Sequence, residues 1–259
     1  MLPRMRVGLL YPGEMGALVG SALSEPPLWA SEGRSEATAG RAAAFEDAGS
    51  LASLVERSEV VLSVCPPAIA EETAEQVAER GFDGLYVDAN AISPVRMERV
   101  ATRFRRCVDG SITGSTGINL YLSGDPADVA EVAALFPADG DVRPLALDLP
   151  IGAASAVKMA YAGWNKISAG LEAQAHAIAR AYGVEEALAA EGVPADRMAR
   201  SAGKAWRWVG EMNEIGDTCA GLGLPDGMAR GAADLFGRWS AHRDDRSVPV
   251  AQLLEELRS

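Results

Sequence analysis

Short apolar segments alternate with helical segments along the first 150 residues, and few folds accommodate that alternation. Seven segments have the length and the apolar, often β-branched character of strands, namely residues 5–10, 27–30, 59–65, 84–89, 106–110, 118–123 and 142–147. Strands separated by helices predict a mainly parallel, doubly wound sheet with right-handed crossover connections. Runs such as Val60, Val61 and Leu62 are typical of strands that are buried on both faces.

From residue 151 onward the pattern is helical, and no proline occurs before Pro194. A helix from residue 151 to about 182 would span roughly 45 Å, since each residue adds about 1.5 Å. Residues 184–191, 194–215, 225–241 and 250–257 also have helical patterns. We therefore predict an α/β domain over residues 1–150 and an all-α domain over residues 151–259.

Composition excludes several classes of function. A net charge of −12 argues against nucleic acid as a partner, because its phosphates require a basic surface. No segment has the length and apolarity of a membrane span, and the N-terminus does not resemble a signal peptide. The three cysteines and two histidines lack the spacing of a disulfide framework or a metal site. We therefore expect no bound metal and a reducing cytoplasm.

A glycine turn, residues 11–16 (YPGEMG), follows the first strand and precedes a helix predicted over residues 17–23. Strand, glycine turn and helix form the context in which GxGxxG indicates a dinucleotide site, with the pyrophosphate at the helix N-terminus. The predicted fold is therefore of the Rossmann type, with Gly16 allowing close packing of helix on strand. The predicted cofactor contacts in this turn are Tyr11, Pro12, Gly13, Glu14 and Met15. Because Tyr11 replaces the first glycine, an ordinary strand-to-helix turn is the alternative.

The end of the second strand indicates which dinucleotide is bound. An acidic residue there favours NAD, whereas this chain has Ser31, followed by Arg34 and Ser35. Hydroxyl groups and a guanidinium suit the 2′-phosphate of NADP(H), so we predict NADP(H) in preference to NAD(H). Glu32 opposes this interpretation, and a solvated loop with a helix N-cap at Ser35 is the alternative.

Two other strand ends carry prolines or polar side chains. They contribute Cys65, Pro66 and Pro67 after one strand and Asn90 after the next. Because open parallel sheets bind ligands at the carboxyl ends of their strands, we expect all four to line the cofactor crevice. Residues 109–115 would border the same crevice.

Lys158 is the only charged residue in the apolar first turns of the long helix. A buried ammonium requires partners or a lowered pKa. Tyr161 and Asn165, three and seven positions on, share its helical face. We interpret Lys158 as catalytic and the other two as side chains that fix it or contact substrate. A structural lysine that reaches solvent from a helix end is the alternative.

Four segments resemble motifs of the β-hydroxyacid dehydrogenase family, which includes the 3-hydroxyisobutyrate and 6-phosphogluconate dehydrogenases. Residues 8–16 resemble its glycine motif, residues 88–94 its D-x-S-T-x-x-P segment, residues 109–115 its D-A-P-V-S-G-G substrate loop and residues 152–162 its G-x-G-x-x-x-K-x-x-N-N helix. The phrases DANAISP and SAVKMAYA are most similar to a branch with a C-terminal domain of unknown function.

Lys158 stands at the lysine of that family motif, whereas Tyr161 and Ala162 replace its two asparagines. Asn90 and Ala91 replace the hydroxyl pair of the D-x-S-T-x-x-P segment. These departures weaken the resemblance to an enzyme of standard 3-hydroxy acids.

The resemblance implies an NADP-dependent oxidoreductase that transfers hydride between nicotinamide and a small, anionic hydroxy or keto acid. Lys158 would be the general acid–base, and Thr113, Gly114 and Ser115 would hold the substrate carboxylate. Reduction of an imine on the same fold is a second hypothesis, although related imine reductases usually carry another residue at the lysine position. An NADP-binding protein without turnover is a third, since the glycine pattern is incomplete. We also expect a homodimer in which the long helices pack against their symmetry mates.

Overall fold

The computed structural model describes residues 5–114, 117–194, 196–245 and 247–258. Contacts divide the chain into two compact units, Met1–Lys158 and Met159–Ser259. The predicted boundary at residue 150 lies just before the helix Ala153–Tyr182, whereas the division between the units falls inside this helix.

The first unit is built on one eight-stranded sheet. Its strands are β1 (Val7–Leu10), β2 (Leu28–Trp29), β3 (Glu46–Asp47), β4 (Val60–Ser63), β5 (Leu85–Asp88), β6 (Arg106–Thr113), β7 (Ile118–Gly124) and β8 (Val142–Ala146). Their order is β3-β2-β1-β4-β5-β6-β7-β8, and only the β6–β7 pair is antiparallel. The chain first winds outward from β1 and then restarts at β4, so the topological switch point lies between these two strands. The predicted doubly wound, mainly parallel sheet is confirmed.

Alternating side chains of the central strands are apolar on both faces of the sheet. Val7 and Leu9 of β1 pack in one core with Leu62 of β4. Leu10 and Val61 pack in the core on the opposite face. Burial of both faces explains why these strands read as continuous apolar runs. The edge strand β3 was not predicted, because its two residues are charged and exposed and give no apolar signal.

Six helices connect these strands and cover the sheet. They are α1 (Glu14–Ser21), α2 (Glu36–Arg41), α3 (Leu51–Arg57), α4 (Ala70–Ala78), α5 (Pro94–Ala101) and α6 (Pro126–Ala133). α1 begins three residues before the predicted start at residue 17. Gly13 is its N-cap in an extended conformation, and Glu14 places a carboxylate in the first turn, where the helix dipole favours negative charge.

The regular elements described in the second unit are all helices, which confirms the predicted all-α C-terminal region. Its helices are the greater part of α7 (Ala153–Tyr182), then α8 (Glu185–Ala190), α9 (Asp196–Gly221), α10 (Gly227–Arg238) and α11 (Val250–Glu256). In the hydrophobic core of this unit, Phe236 and Trp239 are fully buried. The Trp239 indole N–H donates to the Leu253 carbonyl at 3.0 Å. Among the described residues, no helix combines the length and hydropathy that crossing a bilayer requires.

Candidate functional site

In the turn between β1 and α1, Tyr11 stands at the first glycine position of the predicted dinucleotide motif. Tyr11 has a φ of 59°, in the left-handed region that glycine adopts most easily. Its carbonyl accepts a hydrogen bond from the Gly13 N–H at 2.7 Å. A Cβ on Gly16 would lie only 2.5 Å from the same carbonyl oxygen. Gly16 is therefore required by close packing of α1 against the turn that follows β1.

The surface beside this turn could hold a pyrophosphate. A Cβ on Gly13 would lie 4.0 Å from its nearest neighbour, so backbone can be approached closely there. The next residues, Glu14 and Met15, form the amino end of α1, where helical N–H groups converge. Arg41 of α2 donates from Nε to the Pro12 carbonyl at 3.3 Å and brings a cation to the turn. Sequence reasoning missed Arg41, because nothing in the sequence signals this contact across 29 positions.

Arg34 lies over the ring of Tyr11, with its Cζ atom 3.8 Å from the ring centroid. Its Nε is buried and has no hydrogen-bond partner in the described structure. A buried guanidinium N–H without an acceptor fits an anionic ligand, since buried donors are normally satisfied. Ser35 instead caps α2, and its hydroxyl accepts from the Thr38 N–H at 3.3 Å. The alternative interpretation, a helix cap, is thus confirmed for Ser35.

Ser31 lies beside a carboxylate that sequence reasoning also missed. Its N–H donates to Asp47 Oδ1 at 3.3 Å, and the Gly49 N–H donates to the same oxygen at 2.7 Å. The hydrogen bonds from Gly49 and Ser31 lower the pKa of Asp47. Asp47 belongs to β3, the strand without an apolar signal, so no sequence pattern placed it here. Its charge opposes an anion at Ser31, as does that of the exposed Glu32.

Four buried polar residues cross the sheet in register, one on each of four neighbouring strands. This polar row consists of Ser63 on β4, Asp88 on β5, Asp109 on β6 and Ser123 on β7. Each side chain is at most 1% exposed. Because buried polar groups must be hydrogen-bonded, neighbouring segments bond to the row, namely Asn90 after β5 and the start of α7.

Asn90 ties β4 to β5 through this row. Its amide nitrogen donates to Asp88 Oδ2 at 3.0 Å and to the Ser63 hydroxyl at 3.1 Å, and its oxygen accepts from the Cys65 N–H at 2.5 Å. Both amide hydrogens are therefore used within the protein. In the structure this side chain holds the strand ends in place, whereas the sequence predicted that it contacts the cofactor.

Burial governs the ionisation of the groups around Asn90. Burial raises the pKa of Asp88 to about 7, against the hydrogen bonds from Asn90 that favour its charged form. Burial also raises the pKa of the Cys65 thiol to about 11, so Cys65 carries no thiolate nucleophile. Pro66 is exposed at the strand end, and the Pro67 carbonyl accepts from Arg96 at 3.0 Å.

The Asp109 carboxylate holds the start of α7 against the sheet. Its Oδ2 accepts from the Gly152 N–H at 3.0 Å, the Ser155 N–H at 3.0 Å and the Ser123 hydroxyl at 3.1 Å. Its Oδ1 accepts from the Ser155 hydroxyl at 2.8 Å. The Ser123 oxygen in turn accepts from the Ala154 N–H at 3.0 Å. Burial raises the pKa of Asp109, opposed by these hydrogen bonds. A carboxylate at a helix amino end also suits the helix dipole.

Lys158 lies one helical turn beyond Ser155, and its Nζ donates to the Ile112 carbonyl of β6 at 2.9 Å. β6 therefore contacts α7 at two points, through Asp109 and through Ile112. The lysine is half-buried, and this burial lowers its pKa. This amine therefore releases its proton more readily than the amine of an exposed lysine does.

The Ile112 carbonyl directly precedes the predicted substrate loop. Thr113 ends β6 and is buried. Gly114 has a φ of 93°, and a Cβ there would come within 2.6 Å of the Gly117 carbonyl oxygen, so only glycine is accommodated. Ser115, the third residue of this prediction, lies outside the described residues. Thr113 and Gly114 are thus adjacent in the chain to the acceptor of Lys158.

Tyr161 and Asn165 occupy exposed positions on α7. Tyr161 is 45% exposed, and its ring lies 6.4 Å from that of Trp164. Their predicted roles toward Lys158 or substrate stay predictions. Across the part of the chain that the structure describes, no group of three or more His, Cys, Asp or Glu side chains could hold a metal ion.

Comparison with protein families gives one match. Residues 179–239 match the family described as Domain of unknown function (DUF1932). This segment begins near the end of α7 and ends with α10, and it agrees with the predicted resemblance to a branch with such a C-terminal domain. A comparison with curated proteins gives no match.

Solved structures of similar fold span nearly the whole chain. The 3-hydroxyisobutyrate dehydrogenase of Mycobacterium tuberculosis, solved with L-serine, has a TM-score of 0.73 at 16% identity and covers 98% of this chain and 99% of its own. A conserved protein of unknown function, described as similar to 3-hydroxyacid dehydrogenases, has a TM-score of 0.68 at 23% identity, with coverages of 92% and 99%. A variant imine reductase from Myxococcus stipitatus, in complex with NAD+, has a TM-score of 0.53 at 18% identity, with coverages of 99% and 100%. The resemblance predicted from the sequence is confirmed at the level of the fold.

The Asp109 clamp predicts a specific cost for removing the Ser155 hydroxyl. Ser155→Ala takes one donor from a buried carboxylate and should lower the free energy of unfolding by about 1–3 kcal/mol. Ser168→Ala is the matched control in the same helix, because that hydroxyl only donates back to the Trp164 carbonyl. Urea unfolding of both variants measures the difference. Equal, small effects of the two substitutions would contradict the clamp.

Asp88 predicts a pH dependence of stability. Its pKa of about 7 in the fold exceeds the ordinary value of 3.8. Between these values the folded protein retains a proton that the unfolded chain has released, so this residue's contribution to stability falls as pH rises through that window. Asp88→Asn cannot ionise. Its free energy of unfolding should therefore rise relative to wild type between about pH 4 and about pH 8. A difference that stays constant with pH would disprove the assignment.

Proposed function

We propose that this protein is an NADP-dependent oxidoreductase of the β-hydroxyacid dehydrogenase type, which moves hydride between nicotinamide and a small hydroxy or keto acid. The observation that carries this proposal is the position of Lys158. Its half-buried amine is fixed on the Ile112 carbonyl next to the Thr113–Gly114 loop. β1 and β6 run in the same direction in the sheet, so the glycine turn and this loop both lie at its carboxyl edge.

The residues at that edge fit a dinucleotide. The open side of Gly13 and the amino end of α1 would hold the pyrophosphate. Arg34, whose buried Nε lacks an acceptor, would bind the 2′-phosphate of NADP(H), with Ser31 beside it. Asp47 and Glu32 oppose that charge, and we propose that the guanidinium outweighs them at short range. The cofactor, when bound, supplies or accepts the hydride.

Lys158 would hold and pass the proton at its Nζ atom. Protonated, it donates to the carbonyl oxygen of a substrate that is being reduced; neutral, it accepts the hydroxyl proton of one that is being oxidised. A pKa lowered by burial makes both forms accessible nearer neutral pH. The Ile112 carbonyl orients the amine, and the Asp109 clamp fixes the helix that carries it.

An anionic substrate would lie against the loop that follows β6. Thr113 offers a hydroxyl, and the left-handed Gly114 turns its backbone in a way that other residues resist. Ser115 would supply a further hydroxyl and N–H, while Tyr161 and Asn165 would contact substrate or the lysine from α7. Successive backbone N–H groups in such turns form binding sites for carboxylates.

Lys158→Ala should leave NADPH affinity nearly unchanged and lower turnover by about two to four powers of ten, the usual contribution of a general acid–base. Steady-state kinetics with a panel of small keto acids under NADPH measures turnover, and fluorescence titration measures binding. Lys204→Ala, which removes an exposed lysine of α9, is the control and should have no effect. Turnover that survives in Lys158→Ala would remove this residue from the chemistry.

Reduction of an imine is the second candidate, and the exposed Tyr161 phenol, one turn beyond Lys158, favours it. A matched panel of keto acids and cyclic imines under NADPH separates the two reactions. The third hypothesis, an NADP-binding protein without turnover, predicts tight NADPH binding with no oxidation of NADPH across the same panel.

We also propose a homodimer formed along α7. Trp164, Leu171 and Ile178 recur every seven residues and are 65%, 66% and 57% exposed. A row with this spacing suits packing against an identical helix related by twofold symmetry. Leu171 and Ile178 also line an apolar groove of about 670 Å³, which Met228 of α10 borders.

Leu171→Asp should therefore convert a dimer to a monomer in light scattering. Leu222→Asp alters an equally exposed leucine outside the row and should leave the dimer intact. A wild-type monomer at micromolar concentration would rule out this interface.

A further inference from the structure

Two contacts of its carbonyl oxygen hold Tyr11 in its strained conformation. Its carbonyl oxygen accepts a hydrogen bond from the Gly13 N–H at 2.7 Å. The same oxygen occupies the space that a Cβ on Gly16 would need. The backbone therefore cannot rotate to relieve the positive φ without breaking the β1–α1 turn. Surroundings that over-determine a strained residue are often functional, because relaxed alternatives would otherwise be preferred. The direction in which the phenol ring leaves the chain is fixed by this turn.

Arg34 reaches that ring from the loop after β2. Its N–H donates to the Ser31 carbonyl at 3.0 Å, and Gly33 adopts a φ of 69°, so the loop turns back toward β1. The Cζ atom lies 3.8 Å from the Tyr11 ring centroid, well within the range of a cation–π contact. With the residues that the structure describes, Arg34 makes no ion pair, although Glu32 and Asp47 are close in the chain or fold.

We infer that Tyr11 is a specificity-determining residue, whose ring holds the Arg34 guanidinium in place to receive the 2′-phosphate of the cofactor. The inference rests on the proposed function, namely that the chain binds NADP(H). A stacked guanidinium has already lost the rotamer freedom that binding would otherwise remove, and its N–H edge stays available for phosphate oxygens. The buried Nε has no acceptor among the described residues, so no other protein group fixes the guanidinium at that atom.

This role explains why a tyrosine is tolerated where glycine would be free of strain. Most other residues with a side chain would carry a similar backbone cost at φ 59°. An aromatic ring adds attraction to the cation above it without placing a negative charge beside the phosphate site. The ring acts through Arg34, so Tyr11 is a positioning residue and needs no contact with the reacting atoms.

The test is a double-mutant cycle on cofactor affinity. Dissociation constants of NADPH and NADH are measured by fluorescence titration for wild type, Tyr11→Leu, Tyr11→Phe, Arg34→Met and Tyr11→Leu/Arg34→Met. Tyr11→Leu should weaken NADPH binding by about five- to thirtyfold, the usual range of a cation–π contact that is partly desolvated. It should leave NADH affinity within about twofold, whereas Tyr11→Phe, which keeps the ring, should bind both like wild type.

In the Arg34→Met background, Tyr11→Leu should have no further effect on NADPH, because the guanidinium that it positions is gone. Equal losses for NADPH and NADH, or unchanged NADPH affinity in Tyr11→Leu, would overturn the inference while leaving the proposed function intact. Should Tyr11→Leu not fold, Tyr11→Gly removes the ring at a φ that glycine adopts without strain: the same selective loss of NADPH affinity supports the inference, and unchanged NADPH affinity overturns it. A wild-type chain that binds neither dinucleotide would reject the proposed function itself.

Discussion

The hydrogen bonds between one buried carboxylate, Asp109, and the start of α7 organise the candidate site. Asp109 lies in the interior of the sheet, where an unsatisfied charge would be prohibitive. It accepts four hydrogen bonds, three of them from the first residues of α7 and its approach. The position of Lys158 follows, since it lies on the next turn of the same helix. Without this contact, neither the depth of the amine nor its bond to Ile112 would be defined.

The rest of the polar row extends this logic across the sheet. Asp88 fixes Asn90, and Asn90 fixes the backbone at Cys65. The segments that follow β4 and β5, and the start of α7, are thus all anchored through side chains of this row. A ligand at the carboxyl edge of the sheet would contact backbone that these hydrogen bonds hold in place, as precise binding requires. The cost is two buried carboxyls with raised pKa values.

Much of the fold could be predicted from the sequence, because apolar runs and glycine turns are local signals. The sheet, the long helix and the lysine on it follow from such signals. β3 could not be predicted, since Glu46 and Asp47 form an edge strand through pairing with β2 alone. Arg41 and Asp47 reach the site only through tertiary contacts, which no local pattern encodes.

The polar row does have a signal in the sequence. Two strands of the polar row, β4 and β5, read as apolar runs that end in one polar residue, VVLS and LYVD. Such residues at the same end of neighbouring strands indicate a shared row, because adjacent strands align in register. The left-handed Tyr11 is different: a bulky residue gives no sequence sign of positive φ, and the missing glycine suggested a defective turn instead.

The most direct test of this account is the pKa of Lys158, measured by NMR of protein labelled with ¹³C at the lysine ε-carbons. The chain has only three lysines, Lys158, Lys166 and Lys204, and Lys158→Ala assigns the signal. The account predicts that Lys158 titrates below the ordinary value of 10.5, and that Ser155→Ala moves it back toward that value. A Lys158 that titrates at or above 10.5 in the wild-type protein would contradict a buried, clamped amine.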